Sequence, residues 1–306
     1  MPQALVFSEY GGPEVLRLTD VPLPEPGPGQ VRLRVRAAGV QPFDNAFRAG
    51  FARSFAPTTF DRGGGPQRMG TEAAGVVDAV GEGVSRLAVG DEMLGWCDGA
   101  FAEFTLVPEG QLAAKPAGMP WAEAGALTAS GQTAHSALHS LGAKDGETLL
   151  IHAAAGGVGS YAVQLAVAWG MRVIGTASPR NHDYLRALGA TPVAYGPGLA
   201  DRVREIAAVD ASFDAVATDE SLRVGAELAP GRAGTITGDP AHDAEMGVRW
   251  LDTGRDLTSL DELLGLYSGG KLAVEVAGTY SLDQVVEAMQ EVATGHVRGK
   301  VVVTPA

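Results

Sequence analysis

Between Thr148 and Arg180 the chain carries a short apolar run, a turn nearly empty of side chains, a helix-period segment and a second apolar run. Few folds accept that order. Thr148 to His152 read as a strand, and Ala153-Ala154-Ala155-Gly156-Gly157-Val158-Gly159 then turns the chain. From Ser160 the apolar positions Ala162, Leu165, Ala166 and Trp169 recur at helical spacing, Gly170 supplies a stop, and Met171 to Ala177 read as the next strand. The unit is therefore strand–helix–strand, with parallel strands.

Within the turn, Ala154, Gly156 and Gly159 occupy the three small-residue positions of a G-x-G-x-x-G fingerprint. A pyrophosphate held there lies against backbone N–H groups at the positive end of the helix, and a Cβ at the middle position would hold it away. The expected cradle is Ala154, Gly156, Gly157, Val158 and Gly159. Tight strand-to-helix packing alone also produces such turns, but the place after a strand and before a helix favours a nucleotide. The second strand bears on which one. An acid about 20 residues after the glycines would bind a ribose 2′-hydroxyl, yet this strand ends Thr176-Ala177-Ser178-Pro179-Arg180-Asn181. Ser178, Arg180 and Asn181 offer a hydroxyl, a guanidinium and an amide to a 2′-phosphate, so NADPH is the expected cofactor. The alternative for Arg180 is a surface position in a first helical turn.

A chain of 306 residues is long enough for two domains. Its net charge of −13 and pI near 4.9 argue against nucleic acid or an anionic membrane surface as partner, because both reward clustered Lys and Arg. A small-molecule role is favoured. No apolar run reaches membrane-spanning length, and Glu9, Glu14 and Asp20 disagree with a secretory or transit segment. The single cysteine, Cys97, suits a reducing cytoplasm and is expected as a partly buried free thiol.

The first third reads as β-rich. Gln30 to Ala38 alternates Val31, Leu33 and Val35 with Arg32, Arg34 and Arg36, which predicts a half-buried strand with a solvated charged face. Ala73 to Val80, Asp91 to Gly95 and Ala100 to Val107 add strands. Phe51 to Met69 carries Gly63-Gly64-Gly65 and no readable period, so a mobile loop is expected there. Arg48, Arg53, Arg62 and Arg68 in or beside it could draw an anionic substrate tail, though scattered solvated arginines explain them better. Pro120 to Leu141 reads as a helix broken near Ser130-Gly131. Strands and helices then alternate through Leu257 to Tyr267, implying a parallel sheet with ligand at the carboxyl ends of its strands. After Gly270, Lys271 to Val276 read as a strand, Ser281 to Thr294 as a helix capped by Ser281 and Gln284, and Lys300 to Thr304 as a closing strand. The expected division is a β-rich domain over 1–120 and 271–306 and a nucleotide domain over 121–270.

Several segments in order carry a resemblance. They are Tyr10-Gly11-Gly12-Pro13-Glu14-Val15-Leu16, Ala37-Ala38-Gly39-Val40, Gly75-Val76-Val77 with Val80-Gly81, Val89-Gly90-Asp91, Ala153 to Gly159, and Gly299-Lys300-Val301-Val302. Together they resemble the medium-chain dehydrogenase/reductase superfamily, in its zinc-free, NADPH-dependent quinone oxidoreductase-like branch, over nearly the whole chain. The resemblance implies a GroES-like catalytic domain, an inserted Rossmann domain and a substrate cleft between them. It also implies that Tyr195 lies near the adenosine phosphate and that Gly299-Lys300 approaches the cofactor. Packing is the alternative for Tyr195, and a solvated strand end for Lys300. Gln41, Asp44, Thr71, Thr133 and Gly238 face the cleft by the same resemblance, against structural alternatives: Asp44 as a helix N-cap, Thr71 and Thr133 as backbone-bonded turn residues.

The zinc-dependent branch carries a Cys shortly after the Ala-Gly-Val segment and a His in a Gly-His-Glu triplet. Here Gln41-Pro42 follows Gly39-Val40, and the triplet reads Gly70-Thr71-Glu72. Glu72 alone cannot build a tetrahedral site, so no catalytic or structural zinc is expected. This chain also has Ala46 where the branch often carries a tyrosine, and Asp219-Glu220-Ser221 where a Gly-rich turn is usual. The leading expectation is an NADPH-dependent reductase of quinones or α,β-unsaturated carbonyls that delivers a hydride directly. Alcohol/carbonyl interconversion and a catalytically silent nucleotide-binding protein are the alternatives. The resemblance and the late strand Val248 to Leu251 suggest a homodimer.

Overall fold

The computed structural model describes residues 1–53 and 56–305. In chain order, the strands of the first part are β1 (Gln3–Phe7), β2 (Arg17–Asp20) and β3 (Gln30–Val40), followed by helix α1 (Pro42–Arg48). Next come β4 (Gln67–Arg68), β5 (Glu72–Val80), β6 (Glu92–Trp96), β7 (Phe104–Pro108), β8 (Leu112–Ala114) and the long helix α2 (Trp121–Leu141). The alternating part contains β9 (Thr148–Ile151), α3 (Gly157–Ala168), β10 (Arg172–Thr176), α4 (His182–Ala187), β11 (Thr191–Val193) and α5 (Leu199–Ile206). It continues with β12 (Ala211–Asp214), α6 (Asp219–Leu228), β13 (Ala233–Thr235), α7 (Pro240–Glu245), β14 (Arg249–Trp250) and α8 (Leu257–Ser268). The chain closes with β15 (Val276–Ser281), α9 (Val285–Ala293) and β16 (Lys300–Thr304). Two compact units result, one of residues 1–129 with 274–306 and one of residues 130–273.

In the first unit β3 is the organising strand. It pairs with β7 over Gln30–Arg34 and with β16 over Ala38–Val40, while β5 runs beside it from Val31 to Ala37. Val31, Leu33 and Val35 point into a core that includes Leu5, Phe7, Met69, Phe101, Val301 and Val303. The arginines between them point out as the alternation requires, but Arg32 is not simply solvated: it bonds the Asp78 carboxylate at 2.7 Å and lies over the Phe104 ring.

The second unit is one six-stranded sheet in the order β11-β10-β9-β12-β13-β14, and every pair in it is parallel. Leu149, Leu150 and Ile151 are fully buried. Helix-covered faces on both sides of a parallel sheet account for that uninterrupted apolar run. The chain leaves β9 toward β10 and β11 on one side and returns to β12 on the other, so a topological switch point lies at the carboxyl ends of β9 and β12. The expected doubly wound parallel sheet joined to a β-rich domain is the observed fold.

Four local expectations need correction. The 51–69 segment is held rather than free of structure: Gln67 and Arg68 pair with β1, and Phe60 packs its ring 5.1 Å from Tyr10 and 5.5 Å from Phe7. Ser54 and Phe55 of that segment lie outside the described residues. Its arginines do not form one basic patch. Arg48 is buried and donates to the Gly11 carbonyl at 2.7 Å, Arg68 donates to the Phe104 carbonyl at 2.8 Å, and Arg53 lies over the Tyr10 ring. Helix α2 runs unbroken through Ser130-Gly131, because Gly131 serves packing instead: a Cβ there would stand 2.9 Å from Leu263 of α8. Finally, Lys271 to Glu275 is not a strand, and pairing with β16 begins at Val276. The apolar run misled there because Leu272 is simply a buried residue of a connecting segment.

Candidate active site

In the second unit the turn after β9 is fixed from both neighbouring strands. The His152 N–H donates to Phe213 O at 2.9 Å, and the Ala154 N–H to Thr176 O at 3.0 Å. Ala153 holds φ at +53°, a left-handed conformation that a non-glycine residue adopts only under constraint. Gly156 caps α3 in extended conformation with no side-chain hydrogen bond, so the first N–H groups of the helix face outward without a side-chain acceptor. The glycines divide the work. A Cβ on Gly156 would meet only Ala153 O, at 3.3 Å, and otherwise occupy the space a phosphate needs, whereas one on Gly159 would stand 2.2 Å from the same oxygen. Gly159 therefore lets the helix close on its strand, and Gly156 keeps the approach open. These groups fit a pyrophosphate.

At the end of β10, Ser178 caps the short turn Pro179–Asn181, accepting the Asn181 N–H on its carbonyl at 2.9 Å. Arg180 is exposed. Tyr195 is 55% exposed, which excludes the packing alternative. Its loop is braced from below by Arg202, which donates to Ala194 O and Gly196 O at 2.8 and 2.9 Å.

Across the switch point, Asp214 accepts from the Val216 and Ala217 N–H groups at 2.8 and 2.6 Å and so shapes the loop after β12. Asp219-Glu220-Ser221 does not form a loop at all; it is the first turn of α6, where Thr218 and Ser221 cap each other and the two acids suit the helix dipole. Gly238 holds φ at +106°, and a Cβ there would press within 2.7 Å of Ala217 and 2.9 Å of the Asp243 carboxylate. Beneath these loops His152, Asp214 and Asp243 are almost fully buried. Burial pushes the His152 imidazole down, against the pull of Asp214 and Glu220, and pushes the Asp243 carboxyl up. Thr133 is half-buried on α2 in this unit.

In the first unit the structure gathers Gln41, Asp44, Glu72 and Lys300 into one buried network. Gln41 is the N-cap of α1, with Pro42 at the first helical position, and Asp44 is its partner three residues on, not the cap itself. The Asp44 carboxylate accepts the Gln41 N–H at 2.7 Å and is only 1% exposed. The Gln41 side-chain oxygen takes the Asp44 N–H and its amide nitrogen donates to Glu72. Glu72 also accepts the Ala129 N–H at 2.6 Å and pairs with Lys300 Nζ at 3.1 Å. Lys300 is thus neither a solvated strand end nor a free arm: its side chain is 3% exposed. Gly39 makes room for this, since a Cβ there would stand 2.0 Å from the Glu72 carboxylate. Thr71 is different. Its hydroxyl is buried and finds no hydrogen-bond partner among the described residues.

Glu72 is the residue that sequence reasoning passed over, having weighed it only as a metal ligand. Its signal was present: Glu72 and Lys300 are opposite charges at the starts of two strands whose next residues are apolar, and such charges are buried only in pairs.

The model of the alcohol dehydrogenase GroES-like domain matches residues 27–117, and that of the zinc-binding dehydrogenase family matches residues 188–303. The chain is 31% identical to the quinone oxidoreductase of Pseudomonas aeruginosa over 335 aligned positions, covering 100% of both. The chain belongs to the medium-chain dehydrogenase/reductase superfamily, in its quinone oxidoreductase-like branch. Among solved structures of this superfamily, the CurK enoyl reductase superposes with a TM-score of 0.87 at 25% identity, covering 100% of this chain and 99% of that one. A mycobacterial protein complexed with NADPH superposes with a TM-score of 0.84 at 28% identity over 100% of both chains. At that coarse level the chain is a nicotinamide-dependent oxidoreductase. The Glu72 carboxylate is taken by Lys300, Gln41 and Ala129.

Proposed function

We propose that the protein is an NADPH-dependent reductase of quinones or α,β-unsaturated carbonyls that works without zinc. The observation that carries the cofactor assignment is the end of β10, where an exposed Arg180 beside Ser178 and Asn181 stands where an acid would select NADH. Gly156, Gly157, Val158 and Gly159 would hold the pyrophosphate, Ala154 and Gly238 the close approaches beside it, and Tyr195 the adenosine end. The cofactor, when bound, supplies a hydride.

Negative charge develops on the acceptor oxygen and needs neutral donors. Gln41 has both ends of its amide engaged, so the Thr71 hydroxyl is the better donor in the first unit, with Thr133 the candidate from the second. Asp44 positions Gln41 and the start of α1; with Ala46 at the place of the branch's common tyrosine, the final proton comes from water. Glu72 and Lys300 set the charge balance of the buried network in the first unit. The site suits an electrophilic small molecule rather than an alcohol, because nothing in the donor set polarises an alcohol oxygen as a metal would.

The cofactor assignment is tested by Arg180→Ala. The substitution should weaken NADPH binding by about 1.5–3 kcal/mol, the scale of a hydrogen bond to a charged group, and leave NADH nearly unchanged. Equal loss for both nucleotides would remove the basis for the 2′-phosphate reading.

A further inference from the structure

Helices α2 and α8 carry three side chains that the reaction does not use. His135 and His139, one turn apart on α2, share a face with ring centroids 4.5 Å apart. Glu262 of α8 reaches the same point, and one ligand atom from each of the three residues lies within 4.8 Å of the other two. Trp169 aims the carboxylate: its indole N–H donates to Glu262 Oε1 at 2.8 Å, which leaves Oε2 on His135 Nε2 at 2.9 Å. The two helices are fixed to each other beside this point. Gln132 Nε2 donates to Ser259 Oγ at 2.9 Å and to Asp256 O at 2.5 Å, Ser136 Oγ donates to Gly254 O, and Gly131 admits Leu263. The donors therefore stand on rigid elements rather than on loops.

We propose that His135, His139 and Glu262 form a binding site for one divalent transition-metal ion of the zinc, cobalt or nickel class. Two imidazoles and one carboxylate suit borderline ions of this kind, not magnesium or calcium, which prefer all-oxygen sets. Ligand atoms around a tetrahedral ion stand about 3.3 Å apart. The His135–Glu262 contact then opens by about half an ångström, and His139, exposed at the rim, closes on the ion. Three protein ligands leave a fourth position for water. Trp169 acts on the carboxylate as outer hydrogen-bond partners do in metal sites, fixing its orientation. The bound ion would clamp α2 to α8 and raise the thermal stability of this unit by mass action. The site is separate from the nicotinamide chemistry and would be emptied by a chelator without loss of turnover.

The test uses tag-free, full-length protein freed of metal with a chelator. Zinc chloride followed by calorimetry should show one equivalent bound with micromolar Kd, and cobalt chloride should give the visible bands of a four-coordinate site. Nickel chloride should quench tryptophan emission, with the quench largely lost in Trp169→Phe. His139→Ala and Glu262→Gln should each weaken zinc at least about tenfold while keeping the circular dichroism spectrum, the range expected on losing a ligand or its orienting partner. Zinc should raise the thermal midpoint of the native chain but not of His139→Ala. Unchanged affinity in both variants, or no zinc binding tighter than millimolar, would overturn the proposal.

Discussion

Replacing Lys300 by methionine keeps a stem of similar length and removes the charge that faces Glu72. Both side chains are at most 3% exposed, and the ammonium stands 3.1 Å from Oε1. The variant leaves a buried carboxylate that keeps the Gln41 amide and the Ala129 N–H as partners among the described residues. Removing one member of a buried pair costs about 3–5 kcal/mol, and two surviving hydrogen bonds place this case near the lower end, at about 3 kcal/mol. The double variant Glu72→Gln/Lys300→Met removes both charges and should lose less than Lys300→Met alone. The interaction energy from the full double-mutant cycle should be at least about 2 kcal/mol. Urea unfolding followed by far-ultraviolet circular dichroism gives these values, with the first-unit transition fitted separately if the two units unfold apart. A loss below about 1 kcal/mol for Lys300→Met, or a cycle that closes at zero, would show that the pair is hydrated and that the network does not hold the start of α1.

The pH dependence of Asp243 has a definite sign. Burial, aided by Asp214 and Asp239 and opposed by His242, raises its folded-state pKa above the unfolded value, so its contribution is fully present below about pH 4 and is lost as pH rises through the folded pKa. Asp243→Asn should therefore gain stability relative to the native chain as pH rises from about 4, and a difference that stays flat from pH 4 to 8 would contradict the burial argument. For the quaternary state we propose a homodimer through β14, which lies at an end of the described six-stranded sheet with Arg249 and Trp250 exposed, Trp250 by 40%. Light scattering should give twice the mass of 31.4 kDa, and a single-chain mass at micromolar concentration would refute it.

How much of this was legible in the sequence depends on the range of the interaction. The cradle was readable because its constraints are local: Gly159 is required by contact with Ala153 only six residues away, and Gly156 leaves the start of α3 open for a phosphate. The alternation in β3 was readable for the same local reason. What failed was long-range. Gly131 looked like a helix break because its reason, Leu263, is 132 residues away, and the 51–69 segment looked loose because its anchors are Tyr10 and Phe7. Nor does anything near Gln41 in the chain announce Glu72, 31 residues on, which accepts from its amide. Asp219-Glu220-Ser221 read as a departure from a loop when it is a capped helix start, a pattern that Thr218 and Ser221 at three-residue spacing do announce.

The central claim is hydride delivery from NADPH to an electrophilic carbon without a metal. Its most direct test is to supply NADPH deuterated at the transferring C4 position to chelator-treated enzyme with a simple enone, and to locate the label by mass spectrometry and NMR. The account predicts one deuterium on carbon in the reduced product, with turnover unaffected by the chelator. Label found only in solvent, or reduction that requires added zinc or flavin, would contradict it.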